Sequence, residues 1–198
     1  NVGLLIDPQG QIVGSQPKAV PVPFFVNDGN PAQFQETIQT AWGRTGTYIC
    51  FDASFSDIPR QLVDRGAGLL LAPLMNPARW PVQQCWQQAD MAPFRSIELR
   101  RCAVRAASSG ISQIVWPDGS VRAKRTREEG DGILSGTAVF TTQRTPFVRG
   151  GYLFGTAIGY VYLAGIAWLT LAGWGAKLRQ YATRPSRPIG CDASSGGR

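Results

Sequence analysis

GTYICFDASFSDIPRQLVDRGAGLLLAP, residues 46–73, decides the fold. Its first five residues, ending at Cys50, are a compact apolar run of the kind that forms a buried strand. In SDIPRQLVDRGA, Ser56 or Asp57 can cap a helix, Pro59 suits a first turn and Gly66 can end it. LLLAP from Leu69 reads as a second buried strand. Cys50 therefore stands at the C-terminal end of a strand, just before a turn into a helix. Layered α/β folds place their chemistry there: a sharp turn exposes a side chain and leaves backbone N–H groups free to bind an oxyanion.

The flanking segments extend the pattern. VGLLIDPQGQIV, residues 2–13, is two short apolar runs about a turn at Asp7 to Gly10, which predicts a hairpin. PKAVPVPFF from Pro17 cannot be helical and reads as an extended loop. A Gln-rich helix is expected from about Pro81 to Arg100, then the strand CAVRAAS. Ile111 to Trp116, the turn Pro117-Asp118-Gly119 and Val121 to Lys124 predict a second hairpin. Strands alternating with helices, plus hairpins, give an α/β or α+β layered domain over residues 1–149.

The chain's 198 residues allow one domain with a real core. With 43% hydrophobic and 17% charged residues it is too apolar to be disordered. It has no histidine, which removes Ser-His-Asp and Cys-His mechanisms and every His-ligated metal site. Its four cysteines, Cys50, Cys85, Cys102 and Cys191, form no CxxC and are too few for a disulfide scaffold. No metal or cofactor is expected. The net charge of +7 would suit nucleic acid, but the cations are not clustered with exposed aromatics, and no nucleic-acid partner is expected. The chain begins with Asn, with no signal peptide before its first apolar run, and so reads as the remainder of a longer one.

GGYLFGTAIGYVYLAGIAWLTLAGWGA, residues 150–176, carries no charge. About 20 apolar residues span a bilayer core as a helix, so this run predicts a transmembrane helix. Tyr152 and Trp174 sit near its ends, where amphipathic rings favour the headgroups. Lys177, Arg179, Arg184 and Arg187 follow it, whereas Arg144 and Arg149 precede it. That excess predicts a cytoplasmic C-terminus, with residues 1–149 on the far side of the membrane. The basic tail, residues 177–198, is Ser-, Gly- and Pro-rich towards its end and is expected to be disordered, with Cys191 idle in it.

At Ile49-Cys50-Phe51-Asp52 the chain resembles the carbon–nitrogen hydrolase (nitrilase) superfamily, closest to its apolipoprotein N-acyltransferase branch. ICFD matches that family's nucleophile motif, ICYE or ICYD. SFSDIPRQLVDRGAGLLLAP, Met75-Asn76, Trp80, MAPFRSIELRRCAVRAASSGIS, IVWPDGSV and TPFVRGG then follow in the family's order. Upstream, PKAVPVPFF is similar to its K-x-x-L-V-P-F segment, which places the family's lysine on Lys18. The resemblance covers roughly residues 1–150, and a membrane helix straight after the domain also fits the N-acyltransferase branch.

The resemblance implies part of an αββα sandwich followed by one transmembrane helix, and a Glu-Lys-Cys triad. Cys50 would be the nucleophile, and Lys18 with the backbone N–H of Phe51 would stabilise the oxyanion. A thiolate needs a cation and a base nearby, and this chemistry needs no histidine. Two departures stand out. No segment matches the family's upstream general-base Glu, so these 198 residues alone are expected to be inert. The second Glu that often follows the Lys by eight residues is here Val26. Glu36 lies downstream of Lys18 in the wrong context; Glu98 reads as orienting structure; Asp52 reads as either a turn cap or a support for the site.

Three functions compete. The first is a bacterial inner-membrane N-acyltransferase, in which Cys50 passes an acyl group from a phospholipid to a lipoprotein amine. The second is a membrane-tethered amidase or nitrilase-like hydrolase acting on a small amide. The third is a non-catalytic remnant of the fold.

Overall fold

A computed structural model describes residues 1–23, 31–32 and 34–182. The chain runs β1 (Val2–Ile6), β2 (Ile12–Pro17), β3 (Thr37–Thr40), β4 (Gly43–Thr47), a 3-10 turn at Cys50–Ser54, α1 (Asp57–Asp64), β5 (Leu69–Leu74), α2 (Val82–Leu99), β6 (Cys102–Ala107), β7 (Ser112–Val115), β8 (Val121–Arg125), α3 (Pro146–Arg149) and α4 (Phe154–Ala182). Strands β3 to β8 form one mixed sheet in chain order, and β1 and β2 form a separate hairpin. β4, β5 and β6 pair in parallel, joined through α1 and α2; β3, β7 and β8 add antiparallel edges. Parallel strands need such helical crossovers, and a strand covered on both faces reads as a continuous apolar run. LLLAPL of β5 is that run, and it lies at the middle of the sheet. The layered α/β expectation holds.

One face of the sheet carries the larger core. Leu70, Ala72, Leu74 and Ala103 pack there with Ile58, Leu62 and Val63 of α1 and Leu99 of α2. Cys85, Ala89, Ala92, Ser96 and Leu99 form the buried stripe of α2. Their spacing alternates four and three residues, as a half-buried helix requires. Pro93 lies inside α2 without ending it. On the opposite face Leu69, Cys102 and Ile114 pack under Leu134, Ala138 and Val139. Arg101 ties that covering segment to the sheet: buried, it donates to the carbonyls of Ala67, Leu99, Arg100 and Gln143. Burial lowers its pKa to about 10. The hairpin keeps large apolar side chains in the open, with Val2, Leu4, Ile6 and Ile12 all more than half exposed.

Gly46 sits where β4 meets α1. A Cβ there would lie 2.9 Å from the Leu62 Cβ and 3.1 Å from the Ala67 Cβ. Neither atom is the end of a flexible chain, so Gly46→Ala is expected to destabilise the domain by about 1–3 kcal/mol. The midpoint of chemical denaturation reads this directly, and an unchanged midpoint would contradict it.

Three local expectations are corrected. The strand expected to end at Cys50 ends at Thr47; Tyr48 adds one more bond, to the Leu71 carbonyl (3.1 Å), and the chain then turns. Ser56 takes the N-cap position of α1, but its side chain makes no capping bond. β3, the polar TIQT, had no strand signature of its own; pairing with β4 makes it one. Of the extended loop expected from Pro17, Pro17 itself ends β2, and the described residues 18–23 are non-helical but bend at 19 and 20 and turn at 23; Val26 lies outside the described residues.

Residues 1–151 and 152–198 form two separate units. The apolar run Gly151–Gly175, most of which lies in α4, has a mean hydropathy of 1.5, and none of it is buried. By length and composition that run is able to cross a membrane. Residues 183–198, with Cys191, lie outside the described residues.

Candidate active site

Past Tyr48, Ile49 is still extended (φ −112°), and Cys50 then turns left-handed with φ 51°. Among the described non-glycine residues only Arg100, which caps α2, shares that conformation. A side chain in this region is strained, and the surroundings must hold it there. The turn leaves Cys50 half-buried, its Sγ 3.7 Å from the Met75 carbonyl at the end of β5. Among the described residues nothing accepts the Phe51 N–H.

Asp52 holds the turn. Fully buried, it accepts a bond from Ile49 N (3.0 Å) inside the turn. It also accepts from Ala19 N (3.2 Å) and Val20 N (2.9 Å), directly after Lys18. One carboxylate thus stitches the segment after β2 to the nucleophile turn. Burial pushes the Asp52 pKa up; the three N–H bonds and then the Lys18 charge oppose that. Lys18 is itself buried. Together with Cys50 it lines a cavity of about 80 Å³, shared with Asn1, Val22, Ile49, Met75 and Trp80. Among the described residues, no carboxylate lines this cavity. A larger cavity of about 590 Å³ adjoins it through Asn1, Ile49 and Met75 and is walled by Val2, Leu4 and Leu74.

The other carboxylates singled out in the sequence lie elsewhere. Glu36 lines a cavity with Phe34, Arg44 and Arg65. Glu98 pairs with Arg95, whose Nε donates to the Ala53 carbonyl (3.2 Å), so this ion pair braces the Cys50–Ser54 turn from α2. No group of His, Cys, Asp or Glu among the described residues is arranged to hold a metal.

Several contributors were given no role by the sequence, although Met75-Asn76 stood among its motifs. Asn76 is buried and donates its amide to Gln88 Oε1 (2.7 Å), which orders the loop presenting the Met75 carbonyl. A Cβ on Gly110 would collide with the Asn76 side chain. Tyr48 and Arg105 are buried behind the turn. Burial raises the Tyr48 pKa, against the pull of Arg105 and Arg95. The signal for Arg105 was present: a lone cation inside the small, apolar strand CAVRAA.

Comparison with known proteins gives the family and the fold. Residues 1–144 match the carbon-nitrogen hydrolase family model. The apolipoprotein N-acyltransferase of Geobacter metallireducens is 30% identical over 141 residues, covering 62% of this chain and 27% of that protein. Apolipoprotein N-acyltransferase 1 of Treponema pallidum is 33% identical over 127 residues, covering 63% of this chain and 22% of the relative. The match thus spans about a quarter of the length of these curated relatives. Among solved structures, a Saccharomyces cerevisiae member of branch 10 of the nitrilase superfamily superposes with a TM-score of 0.61 at 19% identity, over 78% of this chain and 56% of that one. A Nesterenkonia amidase, with the acetamide moiety of fluoroacetamide added covalently at its active site cysteine, gives 0.55 at 20% identity, over 63% of this chain and 50% of that one. The α/β layers are therefore nitrilase-like, and this chain belongs to the carbon-nitrogen hydrolase family.

Proposed function

We propose that the chain is a membrane-anchored thiol acyltransferase that works through an acyl-thioester on Cys50. The observation that carries this reading is the left-handed turn that puts Cys50 into one cavity with the buried Lys18. The Cys50 thiol gives up its proton to solvent, and its sulfur attacks the ester carbonyl of a phospholipid. The carbonyl π pair moves to oxygen, where the Lys18 ammonium and the Phe51 N–H stabilise it. Collapse expels the lysophospholipid alkoxide, which takes up a proton, and leaves the thioester. The amine of a lipoprotein then attacks, loses a proton and releases Cys50. Asp52 supports the site by holding Lys18 and Cys50 together; both its oxygens are engaged by backbone donors. No general base is assigned among the described residues.

In this reading residues 1–149 are the C-terminal part of the catalytic domain, 150–176 cross a bacterial inner membrane, and 177–198 form a basic cytoplasmic tail. The relatives' names and the apolar run of α4 support it. Residues 1–149 then face away from the cytoplasm, beside lipid and lipoprotein substrates. A cytoplasm-active reporter fused after Arg198 is expected to be active and a periplasm-active one silent; the opposite pattern would reverse the topology.

The small volume around Cys50 favours one competing reading, hydrolysis of a small amide with water as acceptor. The two separate in one experiment. Protein pre-acylated at Cys50 is given a peptide with a free N-terminal amine. N-acyl peptide supports transfer; free acid at an unchanged rate supports hydrolysis.

A further inference from the structure

One peptide unit beside Cys50 is held from three sides. Its carbonyl belongs to Met75 and its N–H to Asn76. The carbonyl oxygen lies 3.7 Å from the Cys50 sulfur and accepts the thiol hydrogen. The N–H donates to the Ser108 hydroxyl at the end of β6 (3.3 Å). In a trans peptide the N–H and C=O point in opposite directions, so a bond that fixes the one aims the other. The Asn76 side chain, buried, anchors the same unit to α2 through Gln88 Oε1 (2.7 Å). Ser108 thus holds the unit from the side of the sheet and Gln88 from the helix, and the carbonyl is left pointing at the sulfur.

Among the described residues nothing but the Cys50 thiol donates to that oxygen. Acylation of the sulfur removes this hydrogen, and the oxygen then stands as a free acceptor beside the thioester. Met75 also lines both the cavity of Cys50 and the larger one that adjoins it, so a second substrate coming through the larger cavity meets this oxygen. We propose that Ser108 and Asn76 are positioning residues for the amine step: they aim the Met75 carbonyl, which seats one N–H of the amine that attacks the Cys50 thioester. The proposal rests on the reading of Cys50 as nucleophile. In this step the C–N bond forms while the carbonyl holds one N–H. The amine's other proton leaves to solvent, the C–S bond breaks, and the departing sulfur takes up a proton. The attacking nitrogen gains positive charge, so its bond to the carbonyl strengthens towards the transition state. The restored S–H then returns to the same oxygen.

Two nucleophiles of one size test this. The full chain in detergent is acetylated at Cys50 by exchange with excess acetyl thioester at mildly alkaline pH, which needs no catalytic group. Loss of the acetyl group from the Cys50 peptide is followed by mass spectrometry in ethanolamine and, separately, in 2-mercaptoethanol. The amine brings an N–H on its attacking atom; the thiolate brings no hydrogen there and needs no acceptor. The parent is expected to favour the amine over the thiolate by at least about tenfold more than a free acetylcysteine thioester does, and Ser108→Ala to lose that preference, because displacement by an ångström costs up to about 10². Ser108→Thr keeps the hydroxyl and should stay within about threefold of the parent. Ser108 is exposed, and continued protection of buried Cys85 and Cys102 reports that the variants are folded. Gln88→Met, which removes the acceptor of the Asn76 amide, should lower the preference in the same direction. A parental preference in folded Ser108→Ala would overturn the proposal, as would a parent no more selective than the free thioester. Equal slowing with both nucleophiles, or the same loss in the Thr and Ala variants, would mark Ser108 as structural and overturn it too. Because Cys50 is loaded chemically, failure of the nucleophile reading has a different signature: an activated ester that acylates Cys50→Ala as well as it does the parent.

Discussion

Cys50→Ala is expected to abolish covalent capture of an acyl group, while Cys85→Ala and Cys102→Ala leave it intact. The three thiols differ in access. Cys85 and Cys102 are buried in apolar surroundings, and burial pushes the Cys102 thiol pKa up. Such thiols are inert because the thiolate, not the thiol, is the nucleophile. Cys50 alone of the three lines a cavity with a lysine. Incubation with an activated acyl ester, such as a p-nitrophenyl ester, removes the need for a general acid at the leaving group. Intact-mass spectrometry then reads the adduct, which hydroxylamine should remove if it is a thioester. An adduct of undiminished yield in Cys50→Ala would sink the reading of Cys50 as nucleophile. No adduct in the parent chain would match the inertness expected of these 198 residues without a general base.

Lys18→Met is expected to slow acylation of Cys50 by about 10²–10³, the usual cost of losing one oxyanion donor. Methionine keeps most of the volume and removes the charge, so the loss should fall on the chemical step. Asp52→Ala should behave differently. It leaves the Ile49, Ala19 and Val20 N–H groups without their acceptor. Bonds to a charged group are worth roughly 1.5–3 kcal/mol each, so a loss of at least about 3 kcal/mol in stability is expected. Acylation should fall as well, because a lysine displaced by an ångström loses much of its effect. Single-turnover rates per folded molecule, set beside denaturation midpoints, separate the two variants. A Lys18→Met protein that acylates at the parental rate would remove Lys18 from the mechanism. An Asp52→Ala protein of parental stability would show that the stitch between the two segments is unimportant.

Much of this architecture was legible because it rests on local signals. The parallel core strand was readable in LLLAP because a strand buried on both faces cannot alternate. α2 was readable to within a residue at either end, since its stripe from Cys85 to Leu99 has helical spacing. The turn that bears Cys50 was placed by an apolar run breaking into a helix start, and α4 by a charge-free run long enough for a bilayer. Long-range contacts decided the rest. No local rule makes TIQT a strand; only the unpaired edge of β4 does.

Cys50 and its turn were marked by residues next to each other in the chain, and the sequence alone sufficed for them. Whether Lys18 reaches that turn was a matter of tertiary structure. The two segments are joined through Asp52, which bonds to a backbone 33 residues away. A carboxylate in such a turn can equally cap its own backbone, and only burial against a second segment decides which donors it takes. Arg105 is the extreme case. In sequence it is one more cation in a chain of net charge +7. Folding buries it in a row of side chains, where it donates to the Gln88 carbonyl and to Gln113 Oε1.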